Sequence, residues 1–213
     1  MNENRFRWRN RQLREHAAII DGKLAPTKVI TNATYLNVYM KQWMEGNIWI
    51  DDDRIVYVGE AMPDNTDGTE MIDASESYIV PGYIEPHSHP FQLYNPQSLG
   101  LYAAQTGTTT LINDNLMWLF LLDEKKAFSL LEEFVELPCS MFWWGRYDSQ
   151  SVLQETDQEE FQEKVVPWLN HDAVIQGGEL TSWPEVLKGD DQTLYWMQET
   201  TRLRKPVEGH LPG

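Results

Sequence analysis

"VPGYIEPHSHP", residues 80–90, sets two of the chain's five histidines one residue apart between two prolines, at the end of an apolar run. Residues 83–89 read as a strand, and in a strand positions i and i+2 point to one face. His87 and His89 therefore project together, with Glu85 one step deeper on the same face. Two imidazoles converging from one strand end can hold a metal ion, each through a neutral nitrogen at about 2.0–2.1 Å from zinc. Glu85 is placed to orient one ring, and the bracketing prolines restrict the backbone on both sides. The pair alone is equally compatible with ordinary core or surface histidines, so its meaning depends on the rest of the chain.

Beyond Pro81-Gly82, short apolar segments alternate with helical ones. Strands are expected at 83–89, 108–114, 139–145, 173–180 and 205–210, and helices at 99–107, 122–137, 156–170 and 191–204. Gly107 is expected to stop the first helix, and a Thr156 cap with an acidic first turn to start the third. Such alternation predicts a parallel sheet with helices outside it. Five strands suit either a complete open sheet or part of a (β/α)8 barrel, which takes about 250 residues.

The strand ends say more. Segment "AVIQGGEL" brings Glu179 to its end, and "KPVEGH" ends in His210. In a parallel sheet all strand C-termini share one edge, where sites are built. Three of the five expected strands thus end in metal-ligand residue types, and chance is a poor explanation for all three. Asp114 and Arg146, at the ends of the second and third strands, face that edge too, with a plain structural role as the alternative reading. Trp143-Trp144 could stack a planar ring but more commonly such a pair packs core. His16 and His171 read as surface residues, and Cys139 as a buried inert thiol.

Before residue 81 the texture is different. Residues 27–80 are Val-, Ile- and Tyr-rich segments separated by turns, with "DDDR" reversing the chain before Ile55, and read as a small antiparallel β unit. Residues 1–26 form an arm with a short helix over 5–20. Five arginines at 5–15 precede an acidic body; a nucleic-acid or membrane arm is one reading, and pairing with the protein's own acidic surface or a sister subunit is the favoured one. The net charge of −16 disfavours nucleic acid as a general partner, because phosphates are repelled. A single cysteine rules out an internal disulfide framework and points to a reducing cytoplasm. No apolar run is long enough to span a membrane, and no signal core stands at the N-terminus.

"YIVPGYIEPHSH", "TGTTTLIND", "GGELTSWPEVLKGDD" and "KPVEGHLPG", in that order, resemble the adenine deaminase family of the metal-dependent amidohydrolase superfamily. The resemblance runs over residues 27–213. It implies an α/β fold: an incomplete (β/α)8 TIM-like barrel of about five βα units over 81–213, preceded by part of a small β-sandwich. It implies a divalent metal, Mn, Fe or Zn, binuclear in the complete enzyme, held by His87, His89, Glu179 and His210, with Glu179 also catalytic. Dihydroorotases and hydantoinases usually bridge their metals with a carboxylated lysine on that strand; residues 173–180 contain no lysine, which favours the deaminase branch. The run after the histidines is Pro90-Phe91-Gln92 where the family usually has Ile-Glu-Ser, and Asn113-Asp114-Asn115 stands where it usually has Asp-Pro-His-Glu. The family's further histidine and aspartate belong to later strands, so the chain is expected to be the N-terminal part of a longer enzyme and inactive alone.

The implied reaction is hydrolytic deamination of an aminopurine, adenine to hypoxanthine and ammonia, in the cytoplasm, with a possible homo-oligomer and neither nucleic acid nor membrane as partner. The alternatives are an amidohydrolase acting on a cyclic amide or N-acyl bond, and a non-catalytic truncated pseudo-enzyme.

Overall fold

The structure, a computed structural model, describes residues 10–150 and 153–210. Arg5, Arg7 and Arg9 of the arginine-rich arm lie outside the described residues. The chain divides into two compact units, with the boundary between Pro81 and Gly82.

In the first unit, helix α1 (Asn10–Ile20) is followed by strands β1 (Lys28–Asn37), β2 (Gln42–Asp51), β3 (Arg54–Gly59), β4 (Glu70–Asp73) and β5 (Tyr78–Ile79). β1, β2 and β3 form the expected antiparallel meander, and Asp52 turns the second hairpin with φ +51°. β4 and β5, however, both run parallel to β1. The sheet is therefore mixed, not antiparallel throughout: the chain after β3 crosses to the free edge of β1 and returns in the same direction. α1 lays Ile19 against Val29 and Trp49. His16, expected at the surface, is buried on that helix with Nε2 3.4 Å from Asp51 Oδ2.

The second unit runs β6 (Tyr83–Ser88), α2 (Pro96–Gln105), β7 (Thr108–Asn113), α3 (Leu116–Leu121), α4 (Glu124–Glu133) with a 3₁₀ turn at Phe134–Glu136, β8 (Ser140–Arg146), α5 (Glu155–Asn170), β9 (Val174–Leu180), α6 (Trp183–Lys188), α7 (Asp191–Arg202) and β10 (Val207–Gly209). The five strands are parallel and lie in sequence order, β6 next to β7 through to β10, in a sheet curled into a half-barrel. Sequential order resolves the open-sheet alternative. A doubly wound sheet reverses its strand order at a switch point, whereas a barrel adds each βα unit beside the last.

Local chemistry sets the helix ends. Asn95 accepts from the Ser98 amide in a capping box with Pro96 in the first turn, and Gly107 follows the helix with φ +91°, a conformation suited to glycine. Asp123 and Asp190 cap α4 and α7 in the same way. α5 differs from expectation: it begins at Glu155, so Thr156 lies inside the first turn and no side chain caps the helix. The short helices α3 and α6, each six residues, were too brief to show helical periodicity in the sequence. The core between sheet and helices centres on Trp118, Trp143, Phe161, Val165, Trp168 and Leu169. His171, read as a surface residue, is half-buried with its ring on Phe128, and Cys139 is fully buried, which pushes its thiol up. Among the described residues no helix is long and apolar enough to cross a membrane.

Candidate metal centre

All five strand ends of the curled sheet contribute to the site. β6 carries His87 and leads into His89, β7 leads into Asp114, β8 ends in Arg146, and β9 carries Glu179. His87 Nε2 and His89 Nε2 face each other at 3.0 Å. Glu179 stands beside them, Oε1 3.9 Å from His87 Nε2 and Oε2 4.0 Å from His89 Nε2. One ligand atom from each of the three lies within 4.8 Å of the others, the only such group among the described residues. His210, just past β10, touches Glu179 Oε1 through Nε2.

Both imidazoles are oriented from behind. His87 Nδ1 lies 3.1 Å from Glu208 Oε2, and His89 Nδ1 lies 2.9 Å from Asp114 Oδ2. A carboxylate beside a ring nitrogen assigns the proton to that nitrogen. With both rings neutral, each Nε2 then carries a lone pair, and the two Nε2 atoms lie 3.0 Å apart. Two acceptors in that position repel unless something positive sits between them. Imidazoles with Nδ1–H held by carboxylates and Nε2 turned inward, beside a buried carboxylate, are the donor set of a divalent cation.

The residue expected to orient a ring, Glu85, does not. Its Oε1 accepts instead from the His87 backbone amide at 3.1 Å. The pairing register of β6 on β7 shifts between Glu85 and Ser88, so strict alternation fails there. Glu208 takes the role. It sits two residues before His210, on the same strand face by period-2 logic, and that was the signal available in "KPVEGH". Burial raises the Glu208 carboxyl above its ordinary value, with the nearby His87 opposing the shift.

Asp114 and Arg146 belong to the same assembly. Arg146, fully buried at 0% exposure, donates from Nη1 to Glu179 Oε2 at 2.6 Å and to Asp114 Oδ2 at 3.2 Å. Its Nε donates to the Asp148 carbonyl at 2.9 Å. Asp148 in turn accepts from Thr181 Oγ1 at 2.5 Å and Ser182 Oγ at 2.7 Å, tying the loops after β8 and β9 together. Burial works to raise the Asp148 carboxyl, but those bonds, the Gln150 amide and the Arg146 charge bring it below its ordinary value.

Trp143 lies in the core against Trp118. Trp144, also fully buried, lies with its ring 4.6 Å from that of His87 and edge-on to His89. Neither indole lines the cavity in front of the site. That cavity, about 330 Å³, has Phe91, Leu116 and Met117 as apolar walls, Gln92 and Gln150 as polar ones, and His89, Asp114, Glu179 and His210 at its base.

No protein-family model matches the chain. A protein of Oceanobacillus iheyensis named "Putative adenine deaminase" is 58% identical over 211 residues, covering 99% of this chain and 36% of its own length. The Bacillus subtilis protein of that name is 49% identical over 219 residues, 100% of this chain and 37% of its own. The chain is adenine-deaminase-like throughout. The resemblance read from the motifs therefore extends over the whole chain, which spans just over a third of the length of these curated relatives. "Adenine deaminase" of Listeria monocytogenes is 28% identical over 205 residues, 95% of this chain and 35% of its own.

Among solved structures, N-acyl-D-glutamate deacylase of Bordetella bronchiseptica, complexed with zinc and a phosphonate mimic of the tetrahedral intermediate, matches with a TM-score of 0.60 at 15% identity. It covers 89% of this chain and 46% of its own. A β-aspartyl dipeptidase of Fervidobacterium islandicum matches with a TM-score of 0.52 at 15% identity, covering 84% of this chain and 49% of its own. At 15% identity these likenesses speak for the fold alone.

Proposed function

We propose that this adenine-deaminase-like chain supplies the metal-holding part of a hydrolase that removes ammonia from an aminopurine, adenine being the favoured substrate. The observation that carries the reading is the pair of Nε2 atoms facing each other at 3.0 Å beside a carboxylate that is 2% exposed. His87 and His89 would hold the metal through Nε2, with Glu179 and His210 completing the donor set. A divalent ion held there, Mn, Fe or Zn, would supply a water with its pKa lowered to about 7. A binuclear centre in the complete enzyme is part of the proposal, and Glu179 would be one of its ligands.

The chain's own residues have distinct tasks. Asp114 and Glu208 keep the imidazole protons on Nδ1. Arg146 engages Glu179 Oε2 and His210 Nε2 lies against Oε1, so both oxygens are held, and Glu179 is the carboxylate proposed to take and return a proton. The apolar walls suit a flat heterocycle, and amides such as Gln92 and Gln150 can read its alternating donors and acceptors. Water replaces the exocyclic amine at C6, so adenine and water give hypoxanthine and ammonia. A reducing cytoplasmic setting agrees with one buried, unpaired cysteine. A homo-oligomer, and no nucleic acid or membrane, complete the reading.

The test is ammonia release by the protein carrying this chain, reconstituted with each metal and offered adenine, hydantoins and N-acyl amino acids. Turnover of adenine, lost in His87→Ala and Glu179→Gln, is expected. Turnover of the amides with purines untouched overturns the substrate assignment.

A further inference from the structure

Arg146 is a cation buried where a second cation is proposed to bind, and electrostatics alone makes that placement unfavourable. What its guanidinium does offer is a connection. One nitrogen, Nη1, donates both to Asp114 Oδ2 on the β7 end and to Glu179 Oε2 on β9. That same Asp114 oxygen receives His89 Nδ1. Asp114 is itself tethered: its Oδ1 accepts from the Leu116 amide at 2.9 Å and its backbone amide donates to the Ser88 carbonyl at 2.8 Å. The plane of the guanidinium is held by Nε on the Asp148 carbonyl, and the Arg146 amide donates to Asn115 Oδ1 at 3.2 Å. A closed circuit results, from His89 through Asp114 and Arg146 to Glu179 and back across 4.0 Å to His89 Nε2.

We propose that Arg146 is a positioning residue that couples the two kinds of metal donor, fixing the His89 ring and the Glu179 carboxylate relative to each other through a shared nitrogen. The inference rests on the metal-site reading above. It has a consequence that separates it from a charge effect. If Arg146 acts only as a nearby positive charge, its removal strengthens divalent-cation binding. If it positions donors, removal weakens binding despite the gain in negative charge. Lysine retains the charge but cannot reproduce a planar fork anchored at Nε, so Arg146→Lys is expected to fail as a substitute.

The experiment measures Zn²⁺ and Co²⁺ dissociation constants of the protein carrying this chain by competition with a chromophoric chelator, together with the Co²⁺ d–d spectrum. Arg146→Met, Arg146→Lys and Asp114→Asn are compared with the wild type, and circular dichroism monitors folding. Outer partners of metal ligands typically contribute 10–100-fold to affinity. Affinity at least about 10-fold weaker, with an altered Co²⁺ spectrum, is expected for Arg146→Lys and for any folded Arg146→Met. Unchanged or tighter binding with an unchanged spectrum in folded Arg146→Lys overturns the positioning role while the metal site stands. Wild-type protein that takes up neither ion overturns both.

Discussion

Arg146 and Glu179 are 0% and 2% exposed and meet at 2.6 Å, so removing either charge has a consequence that can be worked out. A hydrogen bond to a charged group contributes about 1.5–3 kcal/mol, and removing one partner of a buried pair costs about 3–5 kcal/mol because the other is stranded. Arg146→Met strands two carboxylates, Asp114 and Glu179, and is expected at about 4 kcal/mol. Glu179→Gln keeps a neutral acceptor and leaves Arg146 its Asp114 partner, so about 1–2 kcal/mol is expected. With position 179 already neutral, Arg146→Met strands a single carboxylate that still holds His89, and its cost falls by roughly half. The double-mutant cycle should therefore show a coupling of about 2 kcal/mol, far outside the ~0.5 kcal/mol scatter of independent sites. The assay is urea unfolding of metal-free protein in chelator, so that ligand binding does not shift the midpoint, followed by tryptophan fluorescence. The coupling should persist in high salt, since ions do not reach a pair this buried. Additive single effects, or a coupling abolished by salt, would refute the geometry on which the circuit depends.

Other expectations follow from particular residues. Substituting both His87 and His89 with alanine should abolish stoichiometric binding of Zn²⁺ in equilibrium dialysis, while His16→Ala should leave it intact; retained binding in the double variant removes the proposed centre. His171 is pushed below its ordinary value of 6.5 by burial, with Lys205 adding to the shift and Asp172 and Glu132 opposing it. The fold therefore prefers the neutral ring, so this contribution to stability is fully present above about pH 6.5 and is lost as pH falls from there through the lowered value of the folded state. His171→Gln should flatten the corresponding part of a urea-midpoint profile between pH 5 and 8. Burial pushes the Tyr147 phenol up to about 12, so ultraviolet titration of the native protein should gain one tyrosinate near pH 10 to 11 only on unfolding, and Tyr147→Phe should remove that step. Trp143→Ala, at a fully buried core position, should cost about 3–5 kcal/mol by chemical denaturation; under 1 kcal/mol would show that the core around it is loose.

Much of this molecule was legible in its residues because the relevant forces are local. Strand–helix alternation after Pro81-Gly82, the Gly107 stop and the placement of His87, His89 and Glu179 at strand ends depend on periodicities of 2.0 and 3.6 residues and on backbone chemistry a few positions long. The errors came where a neighbour from elsewhere in the chain decided. β4 and β5 joined β1 in parallel because the first sheet had a free edge there, which no strand signal encodes. Glu85 lost its expected role to a register shift in β6, and His16 was buried by the packing of α1.

The amino-acid order by itself determined which side chains could ligate a cation and that a parallel sheet would carry them to a common edge. Only the tertiary structure decided which carboxylate serves which ring. Glu208 meets His87 from 121 residues away, and Arg146 reaches Glu179 from 33 away. Such partnerships depend on the curl and register of the sheet, which place strand ends to within about an ångström, and hydrogen bonds weaken over that distance. Local sequence patterns select faces and elements; the packing of the whole sheet sets the spacing between them.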